Sequence, residues 1–454
     1  MIRQAKLATK TFDRRLIVPL VLGAVLNPVN SSMLAVALVP IGLTFHAVPA
    51  RTAWLVSALY LATATGQPVV GRLIDRYGAR RLYLAGAALV GVAGVIGALA
   101  PSLGFLVLSR VLLGFGTCAG YPAAMYLIRR SGVAKPGGLL TALAVSAQTI
   151  VVIGPTVGGL LIGAAGWRSL FAVNVPLALV CLVLGAILLP RAEGIEEFEH
   201  RLDHLGIGLF AGTLTSLMLF LMSPSPGHLW LPALTVVLGA GFVRRELRYP
   251  DPFLDVRVFG GNAPLIATYA RTLLAQTVAY AYLYGFTQWL EAGRGLSASH
   301  AGLILLPMSL VSIGVSTVTG RRAEFRGKLL VGAVSQVVAC ALMLLLDSAS
   351  PLWLPVLISV ICGLPQGLNS LANQNAVYFQ ADPDRMGASA GLLRTFAYLG
   401  AMVSAAATGA FFGHGADTAG LHELAVFLIV VAVLLLALVL ADRSLRRLGT
   451  PAPS

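Results

Sequence analysis

Polar side chains stand inside the long apolar runs of this sequence, and their types suit hydrogen-bond recognition rather than bond-making chemistry. Gln366, Asn369 and Asn373 recur at i, i+3 and i+7, which puts three amides on one helical face. Asn27, Asn30 and Ser31 share a face of an earlier run. Gln276, Tyr280, Tyr284 and Gln288 drift along one side of a third, and Gln67 and Gln148 stand singly. A lone amide in an apolar helix commonly bonds a neighbouring helix. Three aligned amides favour a cavity wall, and aromatics beside amides suit a small, partly apolar organic ligand. Arg110 is the sharpest single signal. A guanidinium inside a bilayer costs several kcal/mol, so it requires a partner and marks a function. Its alternative is snorkelling, since it lies about six residues from a span end.

The chemistry that is missing narrows the class. The seven histidines are scattered, and the sequence has no clustered Ser/His/Asp set, phosphate-binding glycine loop or metal-ligand group. An enzyme, a cofactor and a metal are therefore not expected. Cys118, Cys181, Cys340 and Cys362 lie in apolar runs without paired spacing, as small core residues rather than disulfides.

The elements that must position these residues are membrane helices. The chain is 57% hydrophobic and 11% charged, with mean hydropathy +0.85, far from the charge content of soluble domains. This predicts an all-α integral membrane protein, with the lipid bilayer as its medium. The net charge of +14 sits in short loops between apolar runs, so nucleic acid is not an expected partner. Fourteen spans are predicted at 16–40, 53–71, 82–100, 104–128, 139–163, 169–190, 205–223, 228–243, 264–289, 300–320, 328–346, 352–377, 389–413 and 422–441. With both termini cytoplasmic, 26 of the 32 lysines and arginines fall on the inner side, and Arg51, Arg168 and Arg294 on the outer. The N-terminus mimics a signal peptide, but the spans that follow predict an uncleaved first helix.

Between the second and third spans, residues 71–81 read GRLIDRYGARR. Length and composition predict a tight loop there. The content exceeds what a basic turn needs, with two glycines seven apart, Asp75 beside Arg76, then Arg80 and Arg81. Residues 320–328, GRRAEFRGK, repeat part of it at an offset of 249: Gly320, Arg321, Glu324 and Gly327 align with Gly71, Arg72, Asp75 and Gly78.

Residues 71–81 resemble the signature G-x-L-x-D-R-x-G-x-R-R of the major facilitator superfamily, matched by Gly71, Leu73, Asp75, Arg76, Gly78, Arg80 and Arg81. The resemblance implies a major facilitator fold, with this loop as a latch on the cytoplasmic side. The repeat is consistent with the parallel halves of that fold, whose interface carries the substrate path. The expected division is a tail at 1–15, a six-helix bundle at 16–190, a linker at 191–263 with an inserted helix pair (205–223 and 228–243), a second six-helix bundle at 264–441, and a tail at 442–454. The linker stretches Leu202–Gly206 and Asp251–Phe259 resemble those of the fourteen-helix drug:proton antiporters of the superfamily.

Within the spans, Gly154, Pro155, Gly158 and Gly159 resemble the kinked fifth-helix signature of exporters, though Ile150 replaces its first glycine. Arg110 with Gly114 resembles a fourth-helix motif linked to proton transfer. Arg271 and Arg394 are expected to snorkel from the inner ends of their spans, and Arg394 also resembles a recurrent arginine of the long exporters, which makes it a gating candidate. One element departs. Where many long exporters carry an acid in the first span, this chain has Asn30 or Ser31. No carboxylate lies mid-span, which leaves Glu291, Asp347, Asp75 or the substrate itself to couple protons. The expected function is export of a small hydrophobic or drug-like molecule across the bacterial inner membrane by a monomer, with protons as the coupling partner. The alternative is facilitated or coupled uptake of a small metabolite. A sensor without flux is the remaining rival, and the longest non-membrane segment, about twenty residues, leaves little room for its signalling domain.

Overall fold

The computed structural model describes residues 14–130, 137–191, 203–222, 225–250, 252, 254, 256–319, 325–381, 386–413 and 415–446. The described residues are helical throughout, without a strand. The helices are α1 (Ile17–Ser32), α2 (Leu38–Phe45), α3 (Pro49–Tyr77), α4 (Ala79–Ala98), α5 (Leu103–Thr117), α6 (Gly120–Arg130), α7 (Gly137–Ala165), α8 (Ser169–Ala172), α9 (Asn174–Leu188), α10 (His204–Met222), α11 (Trp230–Arg248), α12 (Ala263–Ala281), α13 (Ala298–Thr319), α14 (Phe325–Met343), α15 (Trp353–Gln380), α16 (Met386–Phe412) and α17 (Thr418–Ala441). Among the described residues, 11 helices are long and apolar enough to cross a membrane. Helices α3, α7 and α12 are not among those eleven.

Local chemistry explains where the helices differ from the expected spans. Residues 71–77 belong to α3, so the expected eleven-residue loop contracts to Gly78. Nothing before Gly78 breaks a helix, whereas Gly78 turns the chain at φ 87°, a conformation that a Cβ disfavours. The first span is not one helix. Pro28 withholds a backbone donor, and the Asn30, Ser31 and Ser32 side chains bond back to the carbonyls of Leu26 and Pro28. The chain then passes through a 3₁₀ segment, Met33–Val36, before α2. Beyond α12 the helix widens into two π segments, Tyr282–Phe286 and Trp289–Gly293.

Packing pairs α3 with α16 and α7 with α13 as the principal joints between the first and second halves of the chain. Helices α10 and α11 pack on each other, with α10 against α3 and α16 and α11 largely exposed. Their shared end is clamped by polar groups. Asp203 accepts from the Gly206 amide at the start of α10 and from Arg245 at 3.2 Å, and Glu246 accepts from the Leu254 amide at 2.9 Å. This gives the Leu202–Gly206 and 251–259 patterns a structural purpose, although several of their residues lie outside those described. Residues 320–324 of the repeat do as well, so its match at Glu324 lies outside the description.

Arg271 does not snorkel. It is fully buried, pairs with Asp442 just beyond α17, and touches Thr268 and Asn373. Breaking a buried pair from one side strands a charge, at about 3–5 kcal/mol. Asp442→Asn should therefore lower thermal stability by about 3 kcal/mol, and the Arg271→Gln/Asp442→Asn pair should be less unstable than Asp442→Asn alone. Thermal unfolding of the purified variants reads both.

Candidate functional site

A cavity of about 230 Å³ lies between the two halves of the chain. Helices α1, α3, α5, α6 and α7 form one wall, and α12, α14, α15 and α16 the other. The aligned amides of α15, Gln366, Asn369 and Asn373, all line it, as expected. So do Asn27 of α1 and Gln276 of α12. Asn27 donates to Thr63 and Thr117 at 3.3 and 3.0 Å, which ties α1 to α3 and α5 while leaving its carbonyl oxygen free to act. Asn369 donates weakly to Gln336 at 3.4 Å, and its Oδ1 has no partner among the described residues.

The end of the cavity remote from Gly78 is plugged. Tyr284 donates to the Ser31 carbonyl at 2.8 Å and lies 3.3 Å from the Tyr60 hydroxyl. Tyr280 stacks on Tyr284 at 6.0 Å, and Tyr398 packs on Tyr60 at 5.7 Å. Beyond the tyrosines, the Gly154–Gly159 segment makes close backbone approaches. A Cβ on Gly154 would overlap Ser32, one on Gly158 would lie 3.0 Å from the Met33 carbonyl, and one on Gly159 would overlap the Ala298 carbonyl. Thr156 donates to the Gly302 carbonyl at 2.9 Å, and a Cβ on Gly302 would lie 2.6 Å from the Pro155 carbonyl. Small residues let two helix backbones meet in this way. The fifth-span signature thus seats α7 on the α1 break and on the start of α13.

Several residues read from the sequence as path residues hold structure. Asn30 forms a closed amide pair with Asn174, at 2.6 and 2.9 Å, and lies outside the cavity lining. Both of its amide atoms are occupied, so it has nothing left for a ligand. Gln288 is buried and donates to the Tyr284 carbonyl of its own helix. Tyr284 is part of the plug. Arg110, 1% exposed, donates to the carbonyls of Leu55 and Asn30 at 3.0 and 2.9 Å. It does not snorkel, and no carboxylate reaches it among the described residues. Glu291 is buried in the second π segment with Oε1 unpartnered, away from the cavity, and Asp347 caps its own turn through Ser350 and Ala349. Neither lines the path.

Arg394 also fails to snorkel. It turns into the cavity and lies 4.1 Å over the ring of Tyr121. Tyr398, one turn on, donates to Gln67 at 3.0 Å. Tyr121, Tyr398 and Gln336 line the cavity without having been singled out from the sequence. Gln336 stands as a lone glutamine in an apolar span, which was a usable signal, whereas the two tyrosines resemble ordinary packing residues. At the other end, Arg72 reaches the Pro252 carbonyl and Arg80 the Ala186 carbonyl at 2.7 Å. Arg76 and Arg81 are exposed, and Gly71 has open space around it. The side chains of Asp75 and Gln148 lie outside the described residues.

These placements separate two kinds of amide. Asn30→Ala leaves Asn174 buried and unpaired, so stability should fall by about 1–3 kcal/mol. Asn369→Ala should cost less stability and weaken ligand binding more. Parallel measurement of thermal unfolding and of ligand affinity distinguishes the pair.

Three comparisons locate the chain among known proteins. It is 33% identical over 416 residues to YwoD of Bacillus subtilis (strain 168), described as an uncharacterized MFS-type transporter, across 90% of this chain and 92% of that protein. It is 28% identical over 403 residues to the tetracenomycin C resistance and export protein of Streptomyces glaucescens, across 85% and 73%. A crystal structure of a bacterial homologue of the human lysosomal transporter Spinster, inward-facing and unoccupied, shares the fold with TM-score 0.70 at 16% identity, covering 97% of this chain and 100% of that one. Residues 20–405 match the description Major Facilitator Superfamily, so this multi-pass membrane chain belongs to that family of transporters and is not an enzyme.

Proposed function

We propose that the protein exports a small, partly apolar organic molecule across the bacterial inner membrane by alternating access. The observation that carries this reading is the amide- and tyrosine-lined cavity between the halves, plugged at one end by the packing of α7 on α13. Helices α3, α7 and α12 join the eleven apolar ones to make fourteen spans. Residues 16–190 and 264–441 are two six-helix bundles, and α10 and α11 are the pair inserted in the 191–263 linker. Lysine and arginine placement puts both tails, 1–15 and 442–454, and the Gly78 end in the cytoplasm. The plug is then the outer closure, and the cavity faces inward.

The outward direction is supported by the Gly154, Pro155, Gly158 and Gly159 signature and by the resemblance to the tetracenomycin C export protein. When the halves rock, Gly71, Asp75, Arg76, Gly78, Arg80 and Arg81 act as the inner latch, with Arg72 reaching the linker at Pro252. Asn27, Gln276, Gln366, Asn369, Asn373 and Arg394 contact substrate, and Gln148 flanks the path. Arg110 and Tyr284 hold the bend in α1 that the outer closure needs. The working unit is a monomer.

A second reading, uptake or facilitated diffusion without proton coupling, is favoured by one observation. The cavity lining contains no carboxylate among the described residues. Dye efflux from right-side-out vesicles, with and without a pH gradient, separates the two readings. Proton antiport requires the gradient to speed efflux, and an unchanged rate removes it. Gly159→Leu, which blocks the outer closure, should lower flux about tenfold or more, equivalent to about 1.4 kcal/mol on the barrier. Asp75→Asn should slow flux at unchanged membrane abundance, and wild-type flux in that variant would remove the latch assignment.

A further inference from the structure

Arg394 is the single charged residue among the described residues that line the cavity. The described residues place no carboxylate on it. Its neighbours are the face of Tyr121 at 4.1 Å and Tyr398 one turn on, both uncharged. The other arginines of the spans are committed elsewhere, Arg271 to Asp442 and Arg110 to two backbone carbonyls. Among the described residues, the cavity therefore carries one positive charge with no carboxylate to neutralise it.

That charge matters when the cavity closes. While the cavity is open, water solvates the guanidinium. Occlusion removes that water, and an isolated cation in a low-dielectric space costs several kcal/mol. A cation–π contact returns only about 0.5–2 kcal/mol. A bound anion restores the balance, and a planar carboxylate or sulfonate meets the guanidinium fork through two parallel hydrogen bonds. The rest of the wall suits the remainder of such a ligand. Tyr60, Tyr280 and Tyr398 gather at the plugged end with ring centroids 5.2–5.7 Å apart. Asn27, Gln276 and Asn369 also line the cavity. A cavity of about 230 Å³ holds a compact aromatic frame rather than a large one.

We propose that the substrates are small aromatic organic anions carrying one negative charge, held by Arg394 with the ring toward the tyrosine cluster. This deepens the transport reading above and rests on it for the role of the cavity. Its consequence is selective. Anion-loaded protein closes readily, whereas a cationic ligand adds a second positive charge beside Arg394 and is rejected. The charge that moves with the substrate belongs to the substrate, so the path needs no titrating carboxylate.

Three probes with one frame test this: naphthalenesulfonate, its neutral isostere naphthalenesulfonamide, and naphthyltrimethylammonium. Their affinities for the purified full chain are read by ligand-dependent thermal shift. The sulfonate should bind about tenfold or more tighter than either other probe, the size of one charge-assisted hydrogen-bonded contact. Arg394→Gln should erase that preference while leaving sulfonamide affinity within about twofold, and Arg394→Lys should retain a sulfonate preference. Equal affinities for the three probes, no sulfonate binding, or a preference that survives Arg394→Gln overturns the proposal. Counterflow in proteoliposomes separates this from the reading beneath it. Preferred binding of the sulfonate without flux of any probe keeps the anion site and removes transport. Flux of the cation in preference to the sulfonate keeps transport and removes the anion site.

Discussion

The break in the first membrane helix is the constraint on which the rest of the architecture depends. Inside a bilayer no water can satisfy a backbone carbonyl that has lost its helical partner. Where α1 gives way to the 3₁₀ segment Met33–Val36, the carbonyls of Asn30 and Ser31 are taken by Arg110 of α5 and Tyr284 beyond α12. One bond joins helices of the first half, and the other crosses to the second half. The same break offers the surface into which Gly154 and Gly158 of α7 fit. A local departure from helix thus gathers three other helices and builds one closed end of the cavity.

The division of labour among polar residues follows from how fully each is satisfied. Asn30 and Asn174 exhaust each other in a reciprocal pair. Arg271 is neutralised by Asp442. Asn369 has an Oδ1 without a partner among the described residues, Arg394 has no carboxylate on it among them, and both face the cavity beside Asn27. In an apolar medium, a group with unspent capacity is where a ligand gains most by binding, because that group has not yet recovered its desolvation cost. This separates scaffold from site among residues of identical type.

The sequence alone was enough for the helical membrane class and the family. Those features depend on the length of apolar runs and on short motifs that any neighbour-free reading detects. It also placed the α15 amides on a cavity wall, because i, i+3 and i+7 spacing fixes a helical face. It could not tell that residues 71–77 continue α3, since whether a glycine-flanked segment stays helical depends on what its end meets. It expected Arg271 and Arg394 to snorkel and left snorkelling open as the alternative for Arg110, because depth along a span is compatible with either snorkelling or burial. Only the tertiary structure decided among them, because the fate of a buried charge is set by the partner across the helix interface: a carbonyl for Arg110, a carboxylate from the far end of the chain for Arg271, and for Arg394 a tyrosine ring and an open cavity.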